Sequence, residues 1–187
     1  LAAPTTWKYF DENKRRKWQN PEQILEEAGL KSGMIFMDIG CGNGFFTLPA
    51  ARAVGEKGLV YALDSSASAI NEIKVRAEKE GLHNIKLSAA KAEEQILCQA
   101  CADLVFFGIV LHDFQDPPKV LRNAHKMLKP GGVLADLDWK KREMPMGPPV
   151  SIRFDEPTAS RLIEAARFTL HSVKDWGEFN YLILASA

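Results

Sequence analysis

The run Met34-Ile35-Phe36-Met37, continuing as Asp38-Ile39-Gly40-Cys41-Gly42-Asn43-Gly44, constrains this chain more than any other stretch. An apolar segment of strand length ends on an acid, and three glycines then alternate with other residues. Phe45 to Val54 holds no further glycine and reads as a helix. Glycine at a strand-to-helix turn permits positive φ and lets bare backbone approach a ligand. The stretch therefore predicts an α/β fold with a ligand over the end of an inner strand.

Two other uses of such glycines fit poorly. A phosphate-binding P-loop closes on Gly-Lys-Ser/Thr, a tripeptide missing from this sequence. The dinucleotide fingerprint places its third glycine three residues after the second. Phe45 stands there instead, and Gly44 comes one residue early. A nicotinamide-dependent dehydrogenase is therefore a weaker alternative.

Downstream, Gly58 to Asp64 reads as a short apolar strand ending in a carboxylate. In doubly wound sheets ligands sit over the carboxyl ends of the strands, where an acid can accept both hydroxyls of a ribose. Asp64 is thus a ribose candidate, with Ser65 or Ser66 capping the next helix. Ala102 to Gly108 reads as a buried strand, followed by Ile109-Val110-Leu111-His112-Asp113-Phe114. A helix over 118–128 then stops at Lys129-Pro130-Gly131-Gly132, a turn before a new strand.

Around these motifs the pattern alternates. Asn20-Pro21-Glu22 starts a helix that Gly29 ends. Strands are expected near 34–38, 59–63, 84–88, 103–108 and 132–138. Helices are expected near 45–54, 67–80, 93–97 and 118–128. In the 67–80 helix Ile70, Ile73 and Ala77 should face the sheet. A last helix covers 156–166, and 168–185 reads as a closing antiparallel hairpin around Asp175-Trp176-Gly177. Such alternation implies a parallel sheet with helices on both faces. Residues 20–187 form the core of one domain on this reading, and the basic, amphipathic residues 1–19 form an arm or lid.

Taken in order, these motifs resemble the class I S-adenosylmethionine-dependent methyltransferases, especially small members of the group that includes the ubiquinone and menaquinone C-methyltransferases. The resemblance covers roughly Pro21 to Trp139. It implies a Rossmann-like, doubly wound sheet of seven strands in three α/β/α layers, with an antiparallel last strand. It also implies S-adenosylmethionine as cofactor. The backbone of Gly40, Cys41, Gly42 and Gly44 would floor the methionine end, with Asp38 near the amine and Gly108 offering a carbonyl. Asp64 would hold the ribose, with Ser65 beside the adenine. Arg15 is a candidate partner for the cofactor carboxylate. One position departs from the family: Lys91 stands where an acid usually accepts from the adenine amino group. An ammonium has no acceptor, so Ala92 would contribute only its backbone N–H and the cofactor should bind more weakly.

The sulfonium methyl is already activated, so positioning and exclusion of water are the main demands. His112 is the candidate base, because an unperturbed histidine titrates near neutrality, and Asp138 at the end of the fifth main strand could orient an amine or hydroxyl of the acceptor. Arg153 and Tyr9 could close the pocket.

Composition bounds the rest. The chain has 187 residues, 46% hydrophobic and 26% charged, with zero formal net charge. That balance gives no electrostatic case for DNA and favours a small-molecule acceptor over a polymer. The basic residues 8–17 leave a protein or RNA acceptor open, and Lys91 leaves open a cofactor-binding module without transfer activity. No apolar run reaches a membrane span, and Leu1-Ala2-Ala3-Pro4 does not read as a secretory signal. Three cysteines give no disulfide framework, so a reducing cytoplasm is expected, with Cys98 and Cys101 packed in a loop. No metal site is expected.

Overall fold

A computed structural model describes residues 11–187. Seven strands form one sheet: β1 (Ile35–Ile39), β2 (Leu59–Asp64), β3 (Ile85–Ala89), β4 (Ala102–Gly108), β5 (Leu128–Trp139), β6 (Thr169–Trp176) and β7 (Asn180–Ser186). Their order across the sheet is β3-β2-β1-β4-β5-β7-β6, and β7 runs antiparallel to both its neighbours. The chain winds outward from β1 in one direction, then restarts at β4 in the other. The ends of β1 and β4 therefore flank a crevice, the usual place for a ligand in such sheets.

Among the described residues there are six α-helices: α1 (Glu12–Arg16), α2 (Pro21–Glu27), α3 (Thr47–Val54), α4 (Ala67–Glu80), α5 (Pro117–Met127) and α6 (Glu156–Ala165). Successive strand residues point to opposite faces. Phe36, Phe106, Ala135 and Leu137 meet α2 and α3 on one face, while Met37, Phe107, Leu134 and Ile183 meet α5 and α6 on the other. Ile73 and Ala77 of α4 pack with Leu48 and Ala62. Three layers result, as the alternation predicts.

The helix starts follow local chemistry. Asn20, Ser66, Asp116 and Asp155 each accept a backbone N–H of the first turn, and proline opens α2 and α5. Gly81 ends α4 in the left-handed region.

Four local expectations change. The 93–97 segment forms no helix, because Glu93 instead turns its carboxylate to the backbone N–H groups of Gln115 and Asp116. The helix after the glycine loop begins at Thr47 rather than Phe45. Lys129-Pro130-Gly131-Gly132 is absorbed into β5, which slips register against β4 between Ala102 and Leu104. Cys98 and Cys101 are disulfide-bonded, so the expectation that both stay reduced is corrected here. They lie three residues apart in the loop before β4, beside Ala100, whose φ is +46°. Cys41 remains a buried thiol.

Candidate active site

The loop after β1 is stitched to the end of β2. Gly40 N and Cys41 N donate to Leu63 O at 2.7 and 3.1 Å, and Gly42 N donates to Asp64 Oδ2 at 2.8 Å. Gly40, Gly42 and Gly44 all have positive φ, from +53° to +88°. A Cβ on Gly40 would strike Val110 at 2.5 Å, and one on Gly44 would strike Ile73 at 2.9 Å. Gly42 differs: nothing lies within 4 Å of that position, so its missing side chain is open space at the cavity.

That cavity has a volume of about 620 Å³. The glycine loop, Phe45 and Phe46 line one end. Leu63 to Ser66 line the middle, and Ala90 to Glu93 with Ile109, Val110, Asp113, Phe114 and Gln115 complete it. Arg15 enters from α1. Among the described lining residues, Asp38, Asp64, Glu72, Glu93 and Asp113 outnumber the cations Arg15 and Lys91, an acid-rich wall suited to a ligand bearing positive charge.

At the glycine end Asp38 is 1% exposed. Its Oδ2 accepts from Thr47 Oγ1 at 2.6 Å, while its Oδ1 has no hydrogen-bond partner among the described residues. Burial pushes its pKa up to about 7, against the Thr47 bond. Arg15 lies 3.8 Å above the Phe45 ring, and burial pulls its pKa down to about 9, opposed by Asp38 and Glu12. One desolvated cation and one acid with an unmet oxygen therefore line the same end. That is the complement of an α-amino acid, whose carboxylate and ammonium carry the opposite signs.

In the middle, Asp64 Oδ1 accepts from Ser66 N at 2.8 Å while Oδ2 accepts from Gly42 N. A carboxylate oxygen offers two lone pairs, so each retains one for a ribose hydroxyl. Ser66, not Ser65, caps α4, and Ser65 lines the cavity. Farther along, Lys91 is exposed at the cavity rim, and Ala92 is buried with its carbonyl accepting from Asn123 Nδ2 at 3.0 Å.

The end of β4 is strained. Gly108 packs so closely that a Cβ would meet Phe46 at 2.8 Å. Ile109 follows at φ +56°, a region that β-branched residues rarely enter, while its N–H donates to Leu137 O at 2.6 Å. Such strain gathers at functional sites.

His112 and Asp138 come together, but behind the cavity wall. Nδ1 lies 2.7 and 2.9 Å from the two Asp138 oxygens, and the His112 side chain is fully buried. Asp138 raises the imidazole pKa, although burial alone would lower it. Nε2 has no hydrogen bond but lies 3.6 Å from Asp113 Oδ1, and Asp113 does line the cavity. Beside this pair, the buried carboxyl of Asp136 has no hydrogen-bond partner among the described residues on either oxygen, and burial with the nearby Asp138 charge pushes its pKa well up. Arg153 is 3% exposed and holds the loop after β5 through the carbonyls of Lys140, Arg142, Met146 and Pro148. Tyr9 lies outside the described residues.

Several contributors give no local signal. Thr47, Glu72 and Asp113 belong to no motif of the glycine type, and Gln19 is fully buried. Gln19 Oε1 accepts from Arg15 Nε at 2.6 Å, and its Nε2 donates to Asn180 Oδ1 at 3.2 Å. Among the described residues no group of His, Cys, Asp and Glu is arranged for a metal ion. Nor is any helix there long and apolar enough to cross a membrane.

Comparison with known proteins gives the setting. Residues 30–180 match the methyltransferase-domain family. The demethylmenaquinone methyltransferase of Geobacillus stearothermophilus is 30% identical over 122 residues, 65% of this chain and 51% of the relative. The chain thus spans about half the length of the curated relatives it matches. A SAM dependent methyltransferase from Aquifex aeolicus superposes with a TM-score of 0.88 at 31% identity, covering 95% of this chain and 99% of that one. The [4+2]-cyclase SpnF superposes at 0.78 with 18% identity over 90% of this chain and 79% of that one, a likeness of fold alone.

Proposed function

This chain belongs to the methyltransferase-domain family, and from that premise we propose that it moves a methyl group from S-adenosylmethionine to a small-molecule acceptor. The observation that carries this reading is the charge arrangement at the glycine end. Arg15 and the unmet oxygen of Asp38 match the carboxylate and ammonium of the cofactor's methionine part. Open space at Gly42 admits that part against the backbone, and Asp64 stands one loop away for the ribose.

When bound, the cofactor supplies a methyl already activated on a sulfonium. The protein's own tasks are then to hold, orient and dehydrate. Gly40, Cys41 and Gly42 form the floor, with Gly108 at the end of β4 beside them, while Gly44 stays out of the lining and lets the turn close on Ile73. Ser65, Lys91 and Ala92 serve the adenine end. His112 and Asp138 handle the proton of an acceptor that must lose one, and Asp113 links them to the cavity. Residues 11–19 work as part of the lid of a single domain; the rest of that arm, residues 1–10, lies outside the described residues.

The relatives' names support a small acceptor, since they refer to demethylmenaquinone. Zero net charge supports the same choice and gives no reason to invoke DNA. We place the chain in the cytoplasm on its composition; the Cys98–Cys101 bond runs against that compartment. The deciding experiment presents labelled S-adenosylmethionine and a metabolite mixture to the purified protein. Label should move to one small molecule. Binding of a nicotinamide cofactor in place of S-adenosylmethionine would overturn the reading.

A further inference from the structure

Arg15 does not hold its position alone. Its helix α1 has five residues, and apart from the Arg15 guanidinium little of it is out of solvent. Arg16 pairs with Glu22, and Glu12 pairs with Arg76, whose guanidinium also reaches Asn43 O of the glycine loop at 3.0 Å. These are partly exposed bonds, each weak in water. The contact out of solvent is Gln19. Its amide is 0% exposed and meets Asn180, also 0% exposed, on the first residue of β7. Asn180 Nδ2 donates in turn to Asp138 O at 3.2 Å. A chain of three hydrogen bonds therefore runs from the Arg15 guanidinium to the end of β5.

We propose that Gln19 is the positioning residue that makes the cavity selective for a ligand with an amino-acid tail. Its carbonyl takes the Nε edge of Arg15, and the Phe45 ring supports the guanidinium face. The terminal NH2 groups are then the edge a carboxylate meets. A guanidinium fork binds a carboxylate well only when its plane is fixed, so orientation and not charge alone sets the gain. The buried amide pair supplies that fixity, because breaking it strands polar groups out of water. Gln19 acts only through Arg15, at the tail end of the cavity, so it should leave recognition of the nucleoside untouched. The same Asp138 whose carbonyl ends the chain holds His112 with its carboxylate, so tail clamp and proton-handling pair hang on one strand end.

The inference rests on the cofactor reading above, and the two fail differently. Titration calorimetry compares S-adenosylhomocysteine with 5′-methylthioadenosine, the same thioether nucleoside without the amino-acid tail. Wild-type protein should prefer the first. Gln19→Leu should weaken S-adenosylhomocysteine about tenfold, the scale of one charge-assisted hydrogen bond, and leave 5′-methylthioadenosine within about twofold. Gln19→Asn, which keeps the amide but shortens its reach, should fall between them and serves if Gln19→Leu does not fold. A loss shared equally by both ligands, or by neither, overturns the role of Gln19. Wild-type protein that binds neither ligand overturns the cofactor reading and this inference with it.

Discussion

Asp38 and Thr47 share a 2.6 Å hydrogen bond at the root of the glycine loop, and it meets only one of the two carboxyl oxygens. The other oxygen is buried without a partner. The free protein thus keeps an acid near its point of half-ionisation, with its pKa at about 7.

That state makes cofactor binding pH-dependent. A ligand ammonium favours the ionised acid, so binding should release a proton. The affinity for S-adenosylhomocysteine should rise between about pH 6 and 8. Calorimetry across that range checks it, and Asp38→Asn should flatten the profile. Stability of the ligand-free protein runs the other way. The folded pKa is raised above the unfolded one, so this group's contribution is complete below about pH 4 and is lost as pH rises through about 7.

Thr47→Val removes the bond that Asp38 does have. Both oxygens would then be buried without a partner, at a cost of about 1–3 kcal/mol. Denaturant unfolding at pH 7 should show that loss, and an unchanged midpoint would count against the assigned geometry.

His112 and Asp138 form a buried pair, and Asp138→Ala should cost about 3–5 kcal/mol by leaving the imidazole alone. The imidazole pKa is raised in the fold, so the pair's contribution is full below the unfolded value and fades as pH rises through the folded one. Unfolding curves for wild type and variant should converge at alkaline pH. His112→Ala should slow turnover but leave the affinity for S-adenosylhomocysteine within about twofold, because His112 lies outside the cavity lining.

Lys91 is exposed at the cavity rim and brings no acceptor to an adenine amino group. Lys91→Asp should therefore tighten S-adenosylhomocysteine by about three- to tenfold, roughly one neutral-to-charged hydrogen bond. Calorimetry on the two proteins decides it; no gain would mean that the base is held some other way.

The parts of the fold that sequence reveals are the ones whose cause is local. The run from Met34 to Gly44 shows its strand and its turn because apolar residues and glycines act on their own backbone. Asn20, Ser66 and Asp155 mark helix starts for the same reason. The 93–97 helix failed because Glu93 is claimed by residues 22 and 23 positions away. Gln19 and Asn180 lie 161 residues apart, and nothing near either announces the other. His112 and Asp138 were each visible at a strand end, but their burial was not. It depends on how the turn after β4 folds back against β5 and on Arg153 holding the next loop down.

The strand order carries one more consequence. The donor residues from Asp38 to Ala92 lie at the ends of β1, β2 or β3 or just beyond them, while Arg15 and Gln19 precede β1 and Gly108 ends β4. His112, Asp138 and the loop held by Arg153 follow β4 and β5. The two jobs are thus written in largely separate stretches of chain that meet along the seam between β1 and β4 and through the Gln19–Asn180–Asp138 hydrogen bonds. A lineage could exchange the second stretch, and with it the molecule being modified, while inheriting the first intact.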